Sequence, residues 1–272
     1  MRKATKHHRT WRPIGRNLLS IAVVFVAAVV ATSAYADGSV VDLPVAGGVE
    51  RVLYLAPARP TAVLVMFTGG DGIVALGPDG RIGVPGNFLV RTRQQWVDQG
   101  FAVAIPDVPS TLSNLTAARL DPGYADIVRQ IVTFAHGKSG APVWLVGTSR
   151  GTVAAASGAS HLTGHEIAGL VLTSTVTRPG GGSPETVFGA NLAAVDVPVL
   201  IVSHEGDRCR LTPPSDRPQI KAALTGAPVV EIATLSGGLP PKSGPCEAMA
   251  EHGYYGVESD AVSRIAAWIK SH

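Results

Sequence analysis

A serine hydroxyl becomes an effective nucleophile only when a base takes its proton and a further group holds that base in the right tautomer. Gly147-Thr148-Ser149-Arg150-Gly151 offers such a serine in a telling context. Ala141 to Val146 ahead of it is a short apolar run rich in strand formers, and Thr152 to Ala156 behind it is a run of small residues suited to a helix packed against a sheet. Glycines on both sides lack a Cβ, so the backbone can turn sharply enough to lift a hydroxyl above a sheet edge. Because 31 of the 272 residues are Gly, the five-residue pattern alone would carry little weight. The strand before it and the helix after it make Ser149 a candidate nucleophile.

The acid and the base should lie where later strands end. Leu200 to Asp207 leaves an apolar run for a polar loop, which makes Asp207 the expected acid, with Glu205 and Asp216 as fallbacks. Beyond the last strand-like run, His252 is the one histidine ahead of the final helix. Ser149, Asp207 and His252 follow one another at gaps of 58 and 45 residues. His204 stands close enough in sequence to Asp207 to contact it or a substrate, or to serve only the fold. His136 reads as a helix-terminal residue favoured by the helix dipole. His161 and His165 read as solvated surface, since no third metal ligand accompanies them, and Asp107 as a loop cap.

Short apolar runs alternate with helical stretches, which argues for a mostly parallel sheet with helices on both faces. Expected strands are Arg51 to Leu55, Ala62 to Phe67, Phe101 to Ile105, the run before Ser149, Ile167 to Thr173, Val197 to Val202 and Val229 to Ala233. Expected helices run from Phe88 to Gln99, from Tyr124 to His136 with Gly137 closing it, and from Ser259 to Lys270. One short helix around Glu185 to Ala194 would link two strands and leave little room for a lid domain.

Residues 1–36 read as a signal peptide: six basic residues, an apolar stretch from Leu18 to Val30 and an Ala34-Tyr35-Ala36 cleavage site. An uncleaved membrane anchor is the alternative. The whole chain carries a net charge of +3, but this leader holds six of the 23 Lys and Arg and none of the 20 Asp and Glu, leaving 17 against 20, or −3. The basic balance therefore speaks for export and gives no nucleic-acid surface. Residues 37–272 suit a single domain. Cys209 and Cys246 form an even pair in an exported chain and are expected as a disulfide. Neither has zinc-ligand spacing. The glycines match neither G-x-G-x-x-G nor a P-loop ending, so no nucleotide cofactor is expected.

The order Ser149, Asp207, His252 around a G-x-S-x-G turn resembles the α/β-hydrolase fold serine hydrolases, over residues 45–272. The chain is particularly similar to exported bacterial hydrolases in Gly86 to Arg91, in Val146 to Thr152, and in Pro245-Cys246 followed by His252-Gly253. It departs from many members in having Thr68-Gly69 where they carry His-Gly after the corresponding strand. The resemblance implies an oxyanion hole made by the backbone N–H groups of Arg150 and of the Gly69-Gly70-Asp71 loop, at Gly70. It further implies ester hydrolysis through a Ser149-His252-Asp207 triad, without metal or cofactor; the lack of room for a lid favours small or accessible acyl substrates. Amide, thioester and lactone cleavage use the same machinery, and a non-catalytic binding protein on the same fold is the alternative from another class.

Overall fold

Runs such as Val63–Phe67, Val143–Thr148 and Val199–His204 are apolar at nearly every position, the mark of strands covered on both faces. In the computed structural model, which describes residues 1, 3–4, 38–162 and 165–272, they form one eight-stranded sheet. The chain divides into a unit of Met1–Ser33 and a compact unit of Ala34–His272. The expected leader falls almost wholly outside the described residues. Among the described residues no helix is long and apolar enough to cross a membrane.

The strands are β1 (Ser39–Val45), β2 (Gly48–Leu55), β3 (Val63–Phe67), β4 (Ala102–Pro106), β5 (Val143–Thr148), β6 (Gly169–Thr173), β7 (Val199–His204) and β8 (Val230–Leu235). They lie in the order β1-β2-β4-β3-β5-β6-β7-β8. The β1–β2 and β2–β4 pairs are antiparallel and all others parallel. Helices are α1 (Phe88–Arg91), α2 (Arg93–Asp98), α3 (Pro122–Ser139), α4 (Gly151–His161), α5 (Arg217–Ala223) and α6 (Glu258–Ser271). Side chains alternate across each strand. Val63, Val65 and Phe67 join the core under α3 and α4, whereas Leu64 and Met66 join the core under α1, α2 and α6.

Four expectations need correction. The helix expected from Phe88 to Gln99 is broken at Thr92, whose hydroxyl donates to the Phe88 carbonyl (2.7 Å) and accepts from Trp96 Nε1 (3.0 Å). The helix expected to close at Gly137 runs on to Ser139. Gly140, at a φ of 68°, ends it. No α-helix forms around Glu185 to Ala194: two 3₁₀ turns, Val187–Gly189 and Leu192–Ala194, make that link. Strand β1 and helix α5 were not anticipated at all. Asp107, expected as a loop cap, is one: its carboxylate accepts from the N–H groups of Val74 (2.8 Å), Leu76 (2.6 Å) and Val108 (2.9 Å).

The alternation of β2 turns Glu50 inward with Val52 and Tyr54. It is fully buried and neither carboxyl oxygen has a hydrogen-bond partner. Burial, reinforced by the nearby Asp107 charge, pushes its pKa from an ordinary 4.5 up to about 9. Between those values the folded protein holds a proton that the unfolded chain has released. Stability contributed by this group is therefore full below the lower value and is lost as pH rises towards the upper one. Glu50→Gln should match wild-type stability on the acid side and exceed it by at least about 2 kcal/mol near the upper value. Thermal unfolding of both proteins across that range checks this, and parallel profiles would contradict it.

Candidate active site

β5 runs between β3 and β6 and is followed directly by Ser149, whose φ of 53° lies in the left-handed region that side chains avoid. Such a conformation costs about 1–3 kcal/mol and persists only where its surroundings dictate it. Here they do. A Cβ at Gly151 would sit 2.0 Å from the Phe67 carbonyl oxygen, and one at Gly147 would sit 2.5 Å from the Gly151 carbonyl oxygen. Only glycine lets the start of α4 abut the end of β3. The turn is then fastened by the Ser149 N–H donating to the Thr173 carbonyl (3.0 Å), and by the Thr152 N–H (2.9 Å) and hydroxyl (2.6 Å) donating to the Ser149 carbonyl.

Asp207 follows β7, buried. Its Oδ1 accepts the Cys209 N–H (2.9 Å), while Oδ2 accepts the Thr212 hydroxyl (2.9 Å) and lies 3.1 Å from His252 Nδ1. The Thr212 hydroxyl is also 3.1 Å from that nitrogen. His252, likewise buried, rides on a 3₁₀ turn at Glu251–Gly253. Side chains grip this turn from two sides. Ser174 Oγ donates to the His252 carbonyl (2.8 Å), and Arg91 Nη2 donates to the Gly253 carbonyl while also pairing with Glu258 (3.0 Å). Beneath it Tyr254, with its phenol pKa pushed up by burial, donates to the Val202 carbonyl (3.1 Å) and accepts the Ser174 N–H (3.1 Å).

With Nδ1 committed to Asp207, the other imidazole nitrogen is the one left for chemistry. Ser149 and His252 both line one cleft of about 270 Å³, together with Gly69, Gly70, Asn87 and Phe88. The Ser149 hydroxyl has no hydrogen-bond partner among the described residues, so the serine and imidazole share a cleft without a formed bond. The Gly70 loop crosses close by: a Cβ at Gly69 would fall 2.9 Å from Ser149 Cβ. Neither the Gly70 nor the Arg150 backbone N–H donates to another described residue. The Arg150 side chain donates to the Gly180 carbonyl (2.9 Å) and approaches Asp71 (3.8 Å).

The structure therefore brings Ser149, Asp207, His252, Gly70 and Arg150 to one end of the sheet. Both fallback acids are elsewhere: Glu205 is exposed, and Asp216 is held by Arg178 (3.1 Å), whose pairing lowers its pKa, and by Thr177 (2.8 Å). His204 does not touch the Asp207 side chain. Its Nε2 meets the Gly237 carbonyl (3.0 Å) and its Nδ1 accepts the Gly206 N–H (3.0 Å), a structural place. His136 and His165 are exposed, and His161 returns to the Ser157 carbonyl of its own helix (2.8 Å). The Gly86 to Arg91 segment, without an assigned role in the sequence, gains one: Asn87 caps α1 by accepting the Leu89 N–H (3.0 Å), and Arg91 reaches the histidine turn. Thr212 and Ser174 carried no local signal. Cys209 and Cys246 are joined in a disulfide, tying the acid loop to the segment before His252.

No family model matches the chain, and neither does any curated protein sequence. Solved structures do match. A cold-adapted esterase from an Arctic intertidal metagenomic library aligns with a TM-score of 0.56 at 15% identity, covering 84% of this chain and 92% of that one. An esterase from Pyrococcus furiosus aligns with a TM-score of 0.60 at 12% identity, covering 87% and 91%. A dienelactone hydrolase from Anabaena variabilis aligns with a TM-score of 0.58 at 12% identity, covering 88% and 99%. The chain has the α/β-hydrolase fold.

The disulfide spans a sequence separation of 37, a loop whose closure should restrict the unfolded chain by about 4 kcal/mol in the entropy model. Cys209→Ala/Cys246→Ala should lose stability on that scale in urea unfolding. A loss below about 1 kcal/mol would mean the bridge adds little to the folded state.

Proposed function

We propose that the protein is an exported serine hydrolase that cleaves carboxylic esters of small acyl groups. The observation that carries this reading is the buried Asp207–His252 pair opening onto the same cleft as a serine in a left-handed elbow. As Ser149 Oγ attacks the acyl carbonyl carbon, the free imidazole nitrogen of His252 takes its proton. The carbonyl oxygen becomes an oxyanion facing the N–H groups of Gly70 and Arg150, donors of a kind worth about 2.7–4 kcal/mol each at comparable sites. Asp207 holds the imidazole tautomer and stabilises the imidazolium. Collapse of the tetrahedral adduct breaks the ester C–O bond, and His252 protonates the departing alkoxide. Water, deprotonated by His252, then attacks the acyl-enzyme, releasing the acid and restoring Ser149.

Among the solved structures with this fold is a thioesterase domain from the curacin biosynthetic pathway, alongside the dienelactone hydrolase. Thioester and lactone carbonyls therefore form the second substrate set. The basic and apolar leader expected at residues 1–36 and the disulfide between Cys209 and Cys246 support the export part of this reading.

A fluorophosphonate probe should label the wild-type chain, and Ser149→Ala should abolish both labelling and hydrolysis of a chromogenic short-chain ester. Absence of labelling in the wild type would favour a binding protein on this fold. Thr212→Val removes a hydroxyl that touches both the Asp207 carboxylate (2.9 Å) and His252 Nδ1 (3.1 Å), so the imidazole is held less firmly. Its kcat/KM should fall about 3–10-fold on the short-chain ester. An unchanged kcat/KM would show that Thr212 only packs there.

A further inference from the structure

The Gly70 loop is held from beneath by a cation that forms no ion pair among the described residues. Arg119 is 0% exposed; its Nη2 donates to the Gly70 carbonyl (2.8 Å), its Nη1 donates to the Leu115 carbonyl (3.0 Å), and its Nε has no partner. Among the described residues no carboxylate pairs with it. The buried acid of this region, Glu185, spends its oxygens on the N–H groups of Ala117 (3.1 Å) and Leu120 (3.2 Å), so it anchors the backbone on either side of Arg119 and, like Asp71, acts on the guanidinium through space without pairing with it. The same stretch grips the next residue of the loop, with the Leu115 N–H donating to the Asp71 carbonyl (2.8 Å) and the Thr116 hydroxyl to Asp71 Oδ1 (3.1 Å).

Structure alone is a poor reason for this arrangement. Two backbone carbonyls can be satisfied by neutral donors, whereas an unpaired buried charge is costly. A guanidinium remains charged even though burial pulls its pKa down. What the charge can do follows from the geometry of the loop. The C=O and N–H of a trans peptide point in opposite directions. The Gly69 carbonyl takes the Gly72 N–H (3.2 Å), which turns the Gly70 N–H away from the inside of the turn. Arg119 fixes the following peptide by its oxygen, so both peptides flanking the Gly70 Cα are pinned at a residue whose φ of 59° would otherwise be freely variable.

We propose that Arg119 is a positioning residue for the oxyanion donor: its buried, unpaired guanidinium clamps the Gly70 carbonyl, orients the Gly70 N–H towards the cleft and adds a fixed positive charge beneath the developing oxyanion. The inference rests on the serine hydrolase reading. Donors preorganised in a water-poor site act on the transition state far more than on the bound substrate, so the signature lies in kcat.

The test compares wild type, Arg119→Met and Arg119→Lys with p-nitrophenyl acetate and an alkyl boronic acid, with thermal unfolding recorded for each. The boronic acid bonds to Ser149 Oγ, whose proton passes to His252, and so mimics the tetrahedral adduct. Arg119→Met should lower kcat about 10–100-fold with KM within about twofold, and boronate affinity should fall by a similar factor. Arg119→Lys keeps the charge but reaches one carbonyl, so kcat should fall about 3–10-fold with the same split. Variants that melt earlier yet keep wild-type kcat and boronate affinity would overturn the proposal and leave Arg119 a structural residue. Should Arg119→Met not fold, Arg119→Lys decides alone, unchanged kcat and boronate affinity again overturning it. A wild type that neither hydrolyses the ester nor takes a fluorophosphonate at Ser149 would defeat the hydrolase reading itself, and the inference with it.

Discussion

The site is organised around one steric constraint, the approach of Gly151 to the carbonyls that end β3. A side chain at 151 would collide with Phe67 and Thr68 backbone atoms, and a side chain at 147 would collide with Gly151 itself. This contact joins the start of α4 to two neighbouring strands and leaves the intervening serine no ordinary conformation. Gly69 extends the same packing, since its lack of a Cβ lets the next loop lie against Ser149. Ser149 and the loop are thus placed by mutual exclusion of backbones, which tolerates almost no adjustment in a close-packed interior.

Around that contact, buried polar side chains spend their hydrogen-bonding capacity on loop backbone. Thr152 serves the elbow, Ser174 the histidine turn, Asp107 the segment after the Gly70 loop, and Glu185 the turn that carries Arg119. Each such group is costly to bury and each is satisfied, so removing one leaves its partners unpaired as well. Glu50 and the Arg119 Nε are among the exceptions, and the unpartnered Glu50 carboxyl stays neutral well above the ordinary carboxylate range.

The inner strands were legible because parallel strands covered on both faces must be apolar throughout, as in Val63–Phe67 and Val199–His204. β1 was not. It is an edge strand, half exposed, with Asp42 and Pro44 interrupting its pattern. Helix α5 was equally hidden, since Ile220 is its one buried residue. Gly137 and Gly140 look alike in sequence, and only tertiary packing decides which ends α3. Ser149, Asp207 and His252 could be picked out because each follows a recognisable strand in a telling order. Thr212 and Arg119 could not, because the contacts that bring them to the site, to His252 and Gly70, span 40 and 49 residues and no local motif announces them.

The two halves of the site are held by different physics. On the Ser149 side, glycine sterics set the geometry, so the elbow either forms or does not. On the other side, His252 sits on the long connection between β8 and α6, where no strand fixes it. Its place is a sum of separable contacts: the Asp207 carboxylate, the Ser174 hydroxyl, the Arg91–Glu258 pair and the Cys209–Cys246 bridge. Net contributions of single hydrogen bonds are about 1 kcal/mol, so losing one loosens the imidazole without releasing it. Graded control of geometry in this fold therefore belongs to the histidine loop, and the Ser149 turn is its fixed reference.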